Sequence, residues 1–208
     1  FRPKRRTRAS IAKEKGLESL ADAIFAQVAD SASPTELAAD YIDAEKGVET
    51  AEDAINGAMD IIAENISDDA DIRRRLRSLF TVAGVLQSRA ADSEKESVYT
   101  MYYEYDEPVN KIAGHRVLAV NRGENEGFLK VGIDVDRIKA LNIINANVLS
   151  DNGSACTDTV RDAAADAYDR LIFPSVERET RNMITDSAVE SALKVFYVNP
   201  VSYTHLRA

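Results

Sequence analysis

The sequence predicts a mainly α-helical protein with one small β element near residues 128–134. Apolar residues recur at three- and four-residue steps along most of the chain, and helix-capping residues stand before several of these stripes. Period-two alternation is convincing only around Phe128–Ile133, so any sheet is expected to be small. At 208 residues the chain is long enough to bury a core without covalent staples.

Gly16 separates a short turn at 9–15 from an amphipathic helix with Leu17, Leu20, Ala21, Ile24 and Val28 on one stripe. Ser33-Pro34-Thr35-Glu36 is the clearest helix start. Ser33 is the N-cap, Pro34 takes the first position, where its missing N–H costs nothing, and Glu36 can close a capping box. After Gly47, Thr50 caps a helix with Ile55, Met59, Ile62 and Ile66 on one face. Ser67 with Asp68, Asp69 and Asp71 opens the next, since acids in a first turn suit the helix dipole. That helix carries Ile72, Leu76, Leu79, Phe80 and Val82 and is expected to reach Gln87. Its interleaved Arg73, Arg74, Arg75 and Arg77 read as a solvated face rather than a binding site.

Residues 88–97 are small and charged and read as a loop. Tyr99, Tyr102, Tyr103 and Tyr105 then crowd a short helix before Pro108. Their neighbours Glu104, Asp106 and Glu107 favour packing between helices, with hydroxyls in water, over stacking on single-stranded nucleic acid. Residues 112–122 read as helix, Gly123 and Gly127 flank a turn, and the β element follows. Two long helices are expected at 155–172 and 175–197, separated by Pro174. Val160, Ala164, Ala167, Tyr168 and Leu171 form the core stripe of the first, and Val176, Met183, Val189, Leu193 and Phe196 that of the second.

The net charge of −9 is unevenly placed. Residues 1–16 carry seven Lys/Arg against one Glu, so a basic strip precedes a strongly acidic body. Polyanions are drawn to the strip and repelled by the body, and most of the surface is not expected to touch nucleic acid. One cysteine and two histidines exclude a disulfide framework and a cluster of soft or imidazole metal ligands. No apolar run of about 18 residues is present to cross a bilayer, and no apolar stretch follows the basic start as in a signal peptide. A cytoplasmic protein without membrane partners is expected. The aromatic first residue, with no initiator methionine, reads as a truncated N-terminus.

No phosphate-loop, dinucleotide-binding, zinc-protease, C-x-x-C or nucleophile-elbow pattern occurs, so no enzyme activity and no cofactor are expected. Asp134 and Asp136 could imitate a two-metal pair, but strand-end acids before a helix are better read as caps. His115 lacks a neighbouring nucleophile and orienting carboxylate, and reads as packed or capping. Cys156, at a helix start where a thiolate could be stabilised, reads as a small buried residue.

The strings FRPKRRTRASIAKEKGLESLADAI, EKGVETAEDAINGAMDIIAENISDDADIRRRLR, EYDEPVNKIAGHRVLAVNRGENEGFLKV and RDAAADAYDRLIFPSVERETRN resemble the bacterial Tex family of transcription accessory proteins. The third follows a family pattern in which EP, I, HR, LA, RG and EG recur. The resemblance runs over residues 1–198. It implies a multi-helix orthogonal bundle with helix-turn-helix-like packing. It also implies a parent protein with an RNase-H-like domain, helix-hairpin-helix elements and a C-terminal OB-type RNA-binding domain, none of them in this chain.

On this basis residues 1–8 are a basic connecting segment, 9–90 a helical Tex N-terminal region, and 91–199 its helical continuation with the small β element. The ending PVSYTHLRA departs from the family's long helix. Residues 200–208, His205 included, resemble translated adapter read-through and read as a non-native tail. With the first part of the family's N-terminal domain missing too, some apolar surface is expected to be exposed.

The function implied is a helical scaffold in transcription or RNA metabolism, with RNA or DNA bound mainly by absent domains. Lys4, Arg5, Arg6, Arg8, Lys13 and Lys15 are the local phosphate contacts. Two readings of these six cations stand side by side: contacts to phosphate, or pairing with the acidic body. The alternative function is an acidic scaffold that contacts other domains of the parent protein or the transcription machinery.

Overall fold

The computed structural model describes residues 6–30 and 32–198, with side chains described to Val195. It is mainly helical with a small antiparallel sheet. Two compact units divide the chain: one comprises the residues up to Arg75 with Arg137–Pro174, the other Leu76–Asp136 with the residues from Ser175 on. Both units are therefore discontinuous in sequence.

In the first unit, α1 (Arg8–Glu14) occupies the segment read as a turn. Thr7 Oγ1 accepts from the Ser10 N–H at 3.0 Å and Ser10 Oγ accepts from the Thr7 N–H at 2.9 Å. A serine in place of the usual Glu or Gln made this cap hard to read. The next helix, α2 (Glu18–Phe25), buries Leu20, Ala21 and Ile24 but stops short of Val28, which is 59% exposed. Left-handed backbone at Gln27 (φ 44°) ends it. Both expected caps are present. Ser33 and Glu36 close the capping box of α3 (Pro34–Ala38), and Thr50 and Asp53 that of α4 (Ala51–Asp68).

Helix α4 is the hub of this unit, packing against α1, α2 and α3. Its buried face is Ala54, Ala58, Ile61, Ile62 and Ile66, a step round from the predicted stripe; Ile55 and Met59 are only half-buried. Several small alanines let the neighbouring helices approach closely. After the start of α5 (Ala70–Ala83), the chain re-enters this unit as α7 (Arg137–Val148) and α8 (Thr157–Asp166), and α8 also packs on α4.

A π turn at Ala167–Ile172 continues α8 into α9 (Phe173–Val198), with helical backbone at both junctions. Pro174 therefore sits inside a continuous helical run and does not separate two helices. Proline removes a ladder N–H and crowds the carbonyl four residues back, and the wider turn just before it absorbs that mismatch.

In the second unit, Leu76 and Phe80 of α5 are buried, and the helix ends at Ala83 rather than near Gln87. Val82, expected on the core stripe, is 64% exposed. Gly84 then leads directly into β1 (Val85–Ala90), the centre of a sheet ordered β2-β1-β3, with β2 at Glu104–Pro108 and β3 at Leu129–Asp134. Ser88 lies opposite Tyr105 on one side and Val131 on the other. The β element read near 128–134 is thus one edge of a three-stranded sheet. Its other strands lie where a helix end with the start of a loop, and a tyrosine-rich helix, were expected.

Tyr99 accordingly packs on Phe128 and beside Gly123 of the helix at Gly114–Asn125, while Tyr102 packs on Tyr105 within the sheet region. Tyr99 meets Phe128 at 5.9 Å between ring centroids, and Tyr102 meets Tyr105 edge-on at 5.2 Å. The Tyr103 and Tyr105 hydroxyls donate to the Lys95 carbonyl and the Glu107 carboxylate. Helix α6 (Gly114–Asn125) packs on β3 and contains Gly123, which was read as flanking a turn. A Cβ there would lie 2.5 Å from Leu129 Cδ1, so the glycine admits β3.

Along α9 the buried positions are Val176, Thr180, Ile184 and Ala188. Met183, Val189 and Leu193, predicted as core, are 44%, 43% and 50% exposed. Phe196 lies outside the described side chains, and residues 200–208 outside the described residues.

Candidate nucleic-acid interface

Ala9 and Ala12 hold α1 against α4 in the first unit. A Cβ at Gly57 of α4 would come within 2.4 Å of Leu17 Cδ1 and 3.4 Å of Ala12 Cβ, so a glycine at that point admits both. With its alanines buried, α1 turns Arg8 and Lys13 outward, and Arg6 precedes it in an equally exposed position. Lys15, at the helix C-cap, is half-buried and donates to the Gly47 carbonyl at 2.9 Å. Four of the six predicted contacts are thus gathered on one short helix and its ends. Lys4 and Arg5 lie outside the described residues.

The same cations face carboxylates of their own chain. Arg6 pairs with Glu14, and Lys13 Nζ stands 3.8 Å from Glu18 Oε1. Hydrogen bonds from Thr50 hold the Asp53 carboxyl below its ordinary range, and the Lys15 charge adds to the effect. Asp60 goes the other way: burial pushes its carboxyl up, against the pull of Arg170 and then Arg8. Arg170 bridges Asp60 at 3.2 Å and Asp166 at 2.6 Å. That the Arg8 charge is felt at Asp60 was not readable from the sequence, which separates them by two intervening α-helices.

In α5, Arg74, Arg75 and Arg77 are exposed and Arg73 is half-buried, and all four are engaged with their own chain. Arg74 and Arg75 pair with Asp71, Arg73 donates to the Ser67 carbonyl, and Arg77 pairs with Glu179 at 2.6 Å. His115 stands exposed in the first turn of α6, neither packed nor in the cap position. Cys156 is completely buried, with its thiol 3.8 Å from the Ala32 carbonyl. Asp134 and Asp136 are exposed, and no group of three or more His, Cys, Asp or Glu suited to a metal occurs among the described residues.

Sequence reasoning passed over a polar constellation in the second unit, on α6 and α9. Arg181 donates to Glu124 at 2.5 and 3.0 Å, to Asn121 Oδ1 at 3.0 Å and to the Val131 carbonyl at 3.0 Å. Glu124 holds the Arg181 guanidinium above its ordinary range. The available signal was the three- and four-residue spacing of Arg178, Arg181, Asn182 and Thr185, which puts polar side chains on one face of a helix otherwise read for its apolar stripe.

A family model described as Tex central region-like matches residues 29–196. The chain belongs to this Tex family. Among similar proteins whose matches run over most of the chain, YdcI of Bacillus subtilis (strain 168) is 41% identical over 204 residues, covering 96% of this chain. The transcriptional accessory protein Tex of Neisseria gonorrhoeae is 32% identical over 214 residues, also 96% of the chain. The S1 RNA-binding domain-containing protein 1 of Homo sapiens is 26% identical over 204 residues, 91% of the chain. This Tex-family chain spans 28%, 27% and 20% of those three proteins.

Proposed function

We propose that the chain is a helical scaffold of a Tex-like, nucleic-acid-binding transcription accessory protein, acting in the cytoplasm in transcription or RNA metabolism. Its own share of binding rests on Lys4, Arg5, Arg6, Arg8, Lys13 and Lys15. The observation that carries this is the exposure of Arg6, Arg8 and Lys13 on and beside a helix whose opposite face is buried. The printed names of two relatives, one a transcriptional accessory protein and one containing an S1 RNA-binding domain, support the nucleic-acid reading. The reading gives the chain no catalytic role and no cofactor, and leaves the larger RNA or DNA surface to other parts of the longer protein.

A second reading, an acidic scaffold that contacts the parent protein's other domains or the transcription machinery, is favoured by the pairing of Arg6 with Glu14 and of Lys13 with Glu18. Those pairs are exposed, and exposed pairs contribute only about 0–1 kcal/mol, so phosphate can exchange for the carboxylates.

Fluorescence anisotropy of a labelled single-stranded RNA, titrated with the chain across salt, separates the two readings. Binding should weaken steeply with salt, with a log–log slope of about −0.7 per phosphate contact. Changing Lys4, Arg5, Arg6 and Arg8 together to Ala should abolish it. No binding at low salt would leave the acidic scaffold, and RNA cleavage by the purified chain would refute the non-catalytic assignment.

A further inference from the structure

The second unit holds an open cleft of about 640 Å³ between α6 and α9, within the size range of small-ligand sites. Its floor is fixed in advance. The hydrogen bonds of Arg181 are taken up by Glu124, Asn121 and Val131, and Asn121 in turn donates to Thr185 at 2.8 Å. Glu177 accepts from the Ile133 N–H through Oε1 at 3.2 Å, while its Oε2 receives no hydrogen bond among the described residues. On the rim stand Arg122 and Arg178, both exposed and neither with a hydrogen bond or ion pair among the described residues. Asn125 and Asn182 stand with them, both exposed.

These groups form a mixed set. Two free guanidinium groups suit a phosphate, which they can grip in bidentate fashion. Two primary amides offer paired donors and acceptors to the edge of a heterocycle, and a guanidinium plane can also carry a stacked base. A carboxylate oxygen with spare capacity accepts from a sugar hydroxyl. A polyanion laid along the cleft is disfavoured, because the acidic body around it repels successive phosphates, whereas a single terminal phosphate meets the two arginines. A single anionic group carrying hydroxyls and a base edge uses all three kinds of partner.

We propose that this cleft binds one ribonucleotide unit, its phosphate on Arg122 and Arg178, its base edge on Asn125 and Asn182, and its ribose hydroxyls on Glu177. Either a free nucleoside monophosphate or the 5′-phosphorylated end of an RNA strand supplies this chemistry. The site is independent of the cations around α1, and variants of one leave the other intact.

The test is isothermal titration calorimetry of the whole chain with AMP and CMP, their 2′-deoxy counterparts, the unphosphorylated nucleosides and a 5′-phosphorylated RNA trinucleotide. Saturable binding of a ribonucleotide or of the trinucleotide is expected, and which of the two binds identifies the source. The Arg122→Ala/Arg178→Ala variant should weaken it by about tenfold or more, and loss of the phosphate should weaken it by a similar factor. Removal of the 2′-hydroxyl and Glu177→Gln should each weaken it by about threefold or more. The arginines are exposed, so circular dichroism of the variant should match the native chain. Absence of saturable binding by every phosphorylated ligand overturns the proposal, as does equal binding of the nucleosides or undiminished binding by the double-arginine variant.

Discussion

Gln27 is 1% exposed and sits in left-handed backbone, a conformation that costs a non-glycine residue free energy. Its side chain donates to the Val148 carbonyl at 2.8 Å and accepts from the Ser150 N–H at 3.0 Å, tying the end of α2 to the loop after α7. Gln27→Ala should destabilise the fold by about 1–2 kcal/mol, because two half-buried backbone groups lose their partners. Gln27→Gly loses the same bonds but relieves the backbone, so it should be milder by about 1 kcal/mol in urea denaturation. Asp60 gives a prediction with the opposite sign from most carboxylates. Its folded-state pKa is raised by burial, so it adds stability on the acid side that is lost as pH rises through that value. Asp60→Asn should therefore be at least as stable as the native chain near about pH 7, with the difference closing below about pH 4. Urea midpoints at the two pH values check this; a large loss at neutral pH would mean that the Arg170 pair outweighs burial. The cations around α1 were legible as a composition anomaly. The tie made by Gln27 was not, because neither left-handed backbone nor a partner far along the chain leaves a mark on a glutamine.

Gly84 is where one element becomes another without a loop. A Cβ there would stand 2.2 Å from the Phe80 carbonyl oxygen and 3.1 Å from Ile133 Cγ2, so both backbone and sheet exclude it. Gly84→Ala should cost about 1–3 kcal/mol or more, well beyond the roughly 1 kcal/mol that alanine gains over glycine in a helix. Thermal denaturation followed by circular dichroism reads the difference. The helices were legible because their caps are local: Ser33 with Glu36 and Thr50 with Asp53 act within one turn. The sheet was not. Val85–Ala90 buries Leu86 and Ser88 in alternation, and a serine at an inward position hides the period; Glu104–Pro108 is an acidic edge with a proline. Acids and proline on an edge discourage further strand pairing, and the same residues mask the strand from a reader of propensities. Gly84 just past an apolar stripe was a helix-stop signal that the reading ran through.

For the molecule as a whole, charge distribution is the property the sequence gives most directly, since it needs no contacts. With a net charge of −9, and with Arg6 and Lys13 paired to carboxylates of their own chain, the acidic surface repels itself at low ionic strength. Raising salt from about 10 to about 150 mM should raise Tm by roughly 2–4 °C, the shift that about 1 kcal/mol gives at this chain length. A fall in Tm instead would mean that surface ion pairs such as Arg77 with Glu179 and Arg137 with Asp169 outweigh the net repulsion. The polar face of α9 was invisible at this scale because its charges cancel. Its bond from Glu177 to the Ile133 N–H has one more consequence. That amide belongs to a sheet, yet its protection from solvent deuterium depends on a helix side chain and not on a neighbouring strand. Its exchange rate is an intrinsic clock for how often α9 lifts from the sheet, readable at one backbone position without any label.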